Sequence, residues 1–282
     1  MFLVKKKQNS QRPPVGGQVQ WGHPLANGLV AAYLCNEAGG LTMFNAVGNH
    51  HAVMQNIPTS GQGGAWQAVG GPPKVAGIGT NWANNFPGGP GLVTPDTTFG
   101  SPNAVTIVAQ AYPFSDIGHF NYIVQWGGTV GSDGGAVSLE FDFENLNAGI
   151  DGYVYLGSGN DSHCTYGAVG DFNRRNCHVV YVADPNGQGQ ILYLDGIQVA
   201  SVFPNTPIDW VDSGVQTFFG SGATSVISQI LLYNRALSAG EAQWLFVEPY
   251  AMLMRGRSRI PAVPAGVSSV DTINYGAQYR LK

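Results

Sequence analysis

"CHVVYVADPNGQGQILYLDGIQVASV", residues 177–202, decides the fold. It reads as strand, turn, strand, tight turn, strand: apolar, β-branched runs are interrupted by Asp184-Pro185-Asn186-Gly187 and by Asp195-Gly196. Asp-Gly supplies the two positive-φ positions of a two-residue hairpin turn, and the longer Asp-Pro-Asn-Gly run closes a wider one. Three consecutive antiparallel strands are therefore expected within 26 residues.

Toward the C-terminus, "SVISQILLYN" (225–234) supplies a further strand, followed by the one convincing helix. Ser238 is its N-cap, Glu241 stands three residues later, and "AQWLFVE" stops at Pro249, which is a capping box before a short amphipathic stretch. Toward the N-terminus lie "NAVTIVAQAYPF" (103–114), "NYIVQWGG" (121–128), "AVSLEFDFE" (136–144) and "GYVYLG" (152–157), divided by Gly, Asp and Asn. Residues 41–103 are rich in turns, with two or three short strands expected, and "GLVAAYLCNEAGG" (28–40) is the first apolar strand. About a dozen short strands and almost no helix predict an all-β, two-sheet antiparallel sandwich with one short C-terminal helix. The expected division is a basic arm over 1–20, one sandwich over 21–249 and a basic, Pro-containing arm over 250–282.

The composition fits that division. The 282 residues can bury a sizeable core, and 40 Gly with 17 Pro suit many turns. Lys5, Lys6, Lys7, Arg12, Arg255, Arg257, Arg259, Arg280 and Lys282 place nine of 13 basic residues in the arms, with one acid, Asp271, for a net of +8. Residues 21–249 hold four basic residues against 16 acids, a net of −12. Basic arms on an acidic body are the layout of a chain that docks on an acidic surface. Cys35, Cys164 and Cys177 are an odd set without a disulfide framework, and whether Cys164 and Cys177 pair is left open. Four apolar residues before "KKK" make no signal peptide, and no run reaches the ~18–20 apolar residues of a membrane helix, so a soluble protein of a reducing cytoplasm is expected.

At "CHVVYVAD…GQILYLDGIQVAS" followed by "ISQILLYNRALSAGEAQWLF", the chain resembles the closing half of the laminin-G-like, concanavalin A-like jelly roll. "HPLANGLVAAYLCNEAGG" and "NAVGNHHAV" resemble its opening half. The resemblance implies a histidine-led strand running into a "LYLDG" hairpin, and a short helix that packs the chain back on the sandwich. Arg235, between the last strand and the helix, is suited to bind carbonyls left open at the turn. His178, at the head of its strand, reads as a hydrogen-bonded core or edge histidine. The overall layout of arms and sandwich is similar to proteins encoded among bacteriophage virion genes.

Some retaining β-glucanases of this fold carry a Glu-x-Asp-x-Glu strand. By that resemblance, Glu140, Asp142 and Glu144 of "EFDFE" would be nucleophile, helper and acid/base. Retaining chemistry needs working carboxyls ~5–5.5 Å apart, whereas residues four apart on a regular strand lie about 13 Å apart. Nothing within the motif signals a bulge. The expectation is therefore no catalytic residue, with the three carboxylates on the solvent face and Leu139, Phe141 and Phe143 inward. Laminin-G-like domains often hold Ca²⁺, but Asn45 and Asn49 stand where acids would be needed. No cofactor beyond at most a weak Ca²⁺ site is expected, and adjacent His50-His51 is poor metal geometry. Trp66, Trp82 and Phe86 are the residues that could stack on sugar rings, and "GSGNDSHC" (157–164) lacks the Lys of a phosphate cradle.

These observations together give the expected function: a bacteriophage virion structural protein, capsid-decorating or fibre-like, that displays a lectin-like sandwich. Its arms, through Lys5, Lys6, Lys7, Arg12, Arg255, Arg257 and Arg259, would contact other virion proteins such as the major capsid protein, or further copies of the chain. It would be assembled in the host cytoplasm. The alternative is a glycan-binding adhesion module for a host surface, and a third reading is the β-glucanase. Neither a membrane nor nucleic acid is the expected partner.

Overall fold

The structure is a computed structural model that describes residues 13, 16–37, 42–55, 65–69, 75–79, 91–94, 99–113, 120–128, 136–142, 149–156, 161–167, 171–172, 175–203, 207–210, 216–220 and 225–254. Among these the chain runs through β1 (Gln18–Val19), β2 (Leu29–Tyr33), β3 (Thr42–Met43), β4 (Ala52–Gln55), β5 (Ala65–Val69) and β6 (Val75–Gly79). There follow β7 (Gly91–Val93), β8 (Val105–Pro113), β9 (Phe120–Gly128), β10 (Val137–Asp142), β11 (Ile150–Tyr155) and β12 (Asp161–Tyr166). The last group is β13 (Cys177–Asp184), β14 (Gly189–Leu194), β15 (Ile197–Val202), β16 (Gln216–Phe219), β17 (Ser225–Tyr233), α1 (Ala239–Val247) and β18 (Leu253–Met254).

Two antiparallel sheets form the all-β sandwich expected from the sequence. The first has the order β15-β14-β13-β8-β17-β6-β5, with β2 beside the second half of β17, and the second has the order β12-β11-β10-β9-β16-β7-β4-β3. Between them lies one core, in which Ile107, Tyr181 and Leu232 of the first sheet meet Trp126, Leu139 and Phe141 of the second. A second apolar layer covers the far side of the first sheet, where Val108, Val180 and Tyr233 pack under Leu25, Ala242, Leu245 and Met252. Central strands of this sheet are thus buried on both faces, which is why β13 and β14 read as continuous apolar runs and not as alternating ones.

Turn and cap chemistry act where the sequence placed them. Asp195 and Gly196 take φ of +51° and +79°, and the Asp195 carboxylate accepts from His178 N–H at 3.1 Å while pairing with Arg175. Ser238 and Glu241 close the capping box on α1. Arg235 donates to the carbonyl of Asn27 at 2.7 Å, to that of Ala236 at 3.2 Å, and through both Nη atoms to Glu241. It ties the last strand to the first loop and to the helix. His178 is buried against Phe246.

The structure departs from the sequence reading at three places and settles one question it left open. Residues 42–93 hold five described strands, more than the two or three expected from their many turns. Among the described residues of the apolar run at 28–40, the strand covers Leu29–Tyr33, and Cys35 beyond it takes a φ of +49°. The question left open was whether Cys164 and Cys177 pair, and both are free and buried: they belong to different sheets, each thiol has its own backbone carbonyl, of Gln190 and of Arg175, and burial pushes both up to about 12. Gln18–Val19 and Leu253–Met254, assigned from sequence to the two arms, pair with each other and bury Val19 and Leu253.

Candidate functional site

The outer face of the second sheet is the polar one. Val137, Leu139 and Phe141 of β10 point into the core, so Ser138 and Glu140 point out. Glu140 stands directly opposite Asp151 of β11 and Tyr122 of β9. Such cross-strand neighbours have Cβ atoms ~4.5–5.5 Å apart. One strand further, His163 of β12 stands opposite Tyr153 of β11.

These side chains interlock. Nδ1 of His163 lies 2.6 Å from Oδ2 of Asp151; the Asp151 side chain is 3% exposed and that of His163 49%. The Tyr153 hydroxyl donates to Asp161 Oδ1 at 2.9 Å, and its ring meets the His163 ring edge-on at 5.1 Å. Burial first, and then the Asp161 carboxylate, raise the Tyr153 hydroxyl well above the ordinary phenol range, so it stays a donor. The arrangement is a covered acidic floor of Glu140 and Asp151 beside a half-open rim of Tyr153, His163 and Asp161. The rim, not the covered floor, is open: the Asp161 carboxylate can accept hydrogen bonds from hydroxyl or amine donors, and the His163 and Tyr153 rings can face C–H groups.

The solvent-face expectation for the "EFDFE" carboxylates is corrected at Glu140, which is 2% exposed. β10 lies inside the sheet, with β9 and β11 on either side, and its outward neighbours Gln125 and Asp151 are also buried. A bulge is present, but in the facing strand. Leu139 pairs with Val124 and Glu140 with Tyr122, so Ile123 is the extra residue. β10 ends at Asp142; Phe143 and Glu144 lie outside the described residues. The carboxylate brought beside Glu140 is Asp151, from the next strand.

Asn45 uses its side-chain oxygen to accept from the N–H groups of Ala32 and Val47, which folds its own loop. His51 Nδ1 accepts from Asn45 N–H, while the rings of His50 and His51 pack on Phe99 and Phe44 respectively. Among the described residues no three His, Cys, Asp or Glu groups converge as a metal site. Trp66 lies on β5, its side chain outside the described residues, as are Trp82 and Phe86 and the arm residues Lys5, Lys6, Lys7, Arg12, Arg255, Arg257 and Arg259. The sequence reading missed Asp151, Tyr153, Asp161 and His163. The signal was there as period 2 in "IDGYVY" and "DSHCTY", but the second was read as a Gly-rich loop and is strand β12.

No family model matches the chain, and no curated protein does. Solved structures do. Trypanosoma rangeli sialidase in complex with sialic acid is 17% identical at a TM-score of 0.52, over 80% of this chain and 34% of that one. The binding domain of Paraclostridial Mosquitocidal Protein 1 is 15% identical at 0.56, over 79% and 52%. A botulinum neurotoxin type C structure, from a toxin whose cell entry depends on two ganglioside molecules, is 8% identical at 0.51, over 78% and 51%. This chain spans about a third to a half of the lengths of these proteins. At such identities the likeness is one of fold.

Proposed function

We propose that this chain is a glycan-binding module, a lectin-like sandwich of the laminin-G-like kind that holds sugar on the β10–β12 face without cleaving it. The observation that carries this is the Asp151–His163 pair under the Tyr153 ring. Asp151 fixes the half-exposed His163 ring in place, and the Tyr and His rings give flat surface for the C–H face of a pyranose. Support also comes from the neighbours in fold, one a sialidase structure with sialic acid and one a toxin that depends on gangliosides. We read the site as non-hydrolytic. Retaining hydrolysis needs two carboxyls that both reach the sugar, whereas Glu140 is 2% and the Asp151 side chain 3% exposed.

The test is a glycan array with the full chain, followed by titration of the best saccharide against His163→Ala and Asp151→Asn. We expect at least one saccharide class to be retained and its affinity to fall about tenfold in each variant, as loss of an oriented polar contact predicts. Retention of no saccharide, or full affinity in both folded variants, sinks the proposal. Reducing-sugar release from a β-glucan that disappears in Glu140→Gln would replace it with the hydrolytic reading.

The setting we propose is a bacteriophage particle, with the module displayed outward and tied by its arms to capsid protein. It is supported by the charge layout, +8 in the arms against −12 in the body, and by the resemblance in overall layout. Deleting residues 1–12 and 255–282 should abolish incorporation into particles; unchanged incorporation would remove this setting.

A further inference from the structure

β15 is an edge strand without the usual protection. Among the described residues its one sheet neighbour is β14, and "IQVASVF" (197–203) contains no charged residue. Ile197 is 69% and Phe203 67% exposed, and Val202 is exposed between them. The facing register adds one extra residue at Val199, a bulge that bends the strand but places no charge on it. Natural edges are normally blunted by Lys, Pro or short length. The edge of the other sheet at the same side, β12, carries Asp161 and His163, and the opposite edge strand β3 has two residues.

The C-terminal segment carries a matching pattern. In "INYGAQYRLK", Ile273, Tyr275, Ala277, Tyr279 and Leu281 alternate with Asn274, Gly276, Gln278, Arg280 and Lys282. This is strict period 2 over ten residues, the signature of a segment with one apolar and one polar face when extended. Residues 255–272 form an 18-residue connection between it and the end of β18, which can span up to about 60 Å. Gln18 pairs with Met254, so both arms leave the body side by side, an exit suited to reaching a neighbour. Charge selects the occupant. A second body of net −12 would be repelled, whereas residues 255–282, with five basic residues and one acid, carry +4.

We infer that residues 273–281 of one copy add as a strand to the β15 edge of another copy, linking sandwiches by strand donation. Backbone hydrogen bonds supply the pairing, and the alternating apolar side chains continue the face of Ile197 and Val202, which stand opposite Leu194 and Gln190 of β14. The contact joins two different patches, so it produces reciprocal exchange between two copies, larger closed rings or open chains. It is independent of the sugar-binding proposal.

Light scattering compares the full chain with a chain ending at Pro264. A labelled peptide of residues 270–282 is then titrated into the shortened chain, beside a scrambled peptide of equal charge. We expect the full chain to be oligomeric and the shortened chain monomeric. The native peptide should bind, and binding should weaken about tenfold for Phe203→Lys and Ile197→Lys, at unchanged melting temperature, as a charge on a pairing edge predicts. A monomeric full chain overturns the inference, even with its tail engaged on its own body. So does an oligomer that survives truncation, equal binding of the scrambled peptide, or binding that ignores both edge substitutions.

Discussion

Gly152 shows how single residues set the candidate site. It occupies the core-facing position between Asp151 and Tyr153, and a Cβ there would lie 2.3 Å from the ring of Tyr181. That ring is fully buried, its hydroxyl donating to Gln190 Oε1 at 2.6 Å, while Gln190 Nε2 donates to Ser162 Oγ. The glycine lets the two sheets approach under the site, and the Tyr181–Gln190–Ser162 chain holds β12 to the first sheet. Gly152→Ala should cost about 1–3 kcal/mol, the range for overpacking a rigid core, as read from urea unfolding. It should also lower sugar affinity through displacement of Asp151. A variant of wild-type stability would mean that Tyr181 can turn away. Glu140 was visible in sequence as an acid, but its burial and its neighbour Asp151 were not, because both depend on which strands stand alongside.

At the scale of elements, the joint between β17 and α1 is the most fully specified part of the chain. Ser238 caps the helix, and Glu241 accepts at once from Ser238 N–H and from Arg235. Gly28, at φ +73°, is required beneath this joint, since a Cβ would approach the Arg235 side chain to 2.9 Å. Desolvation raises the Glu241 pKa, yet the hydrogen bonds from Arg235 and Ser238 outweigh it and leave it lowered. A carboxyl lowered in the folded state stabilises fully above its unfolded pKa, near 4.3, and that contribution disappears as pH falls through the folded value. The stability difference between wild type and Glu241→Gln should therefore be largest near neutrality and shrink below about pH 4, as thermal melts across pH will show. A difference that does not vary with pH would assign the role of Glu241 to packing. Ser238→Ala should cost about 1 kcal/mol in the same melts. This joint was legible because its signals are local: a cap, its partner three residues on, and an arginine between.

Across the whole molecule, the two sheets share one core while the outer faces diverge. An apolar layer under α1 and β18 closes the first sheet, and the second keeps the polar face. Because that core includes residues from both sheets, calorimetry on residues 13–254 should show one cooperative transition; two would mean that the sheets unfold separately. The sequence by itself determined the class of fold, since strand periodicity, hairpin turns and the capping box are written within a few residues of each other. It also determined the segregation of charge between arms and body. Tertiary structure alone decided that Glu140 faces Asp151 and not a second acid on its own strand, that His163 joins them, and that Cys164 and Cys177 stay apart. Each of these follows from register between strands, where a shift of one residue reverses every side chain, and register is set by bulges and by packing across the sheets.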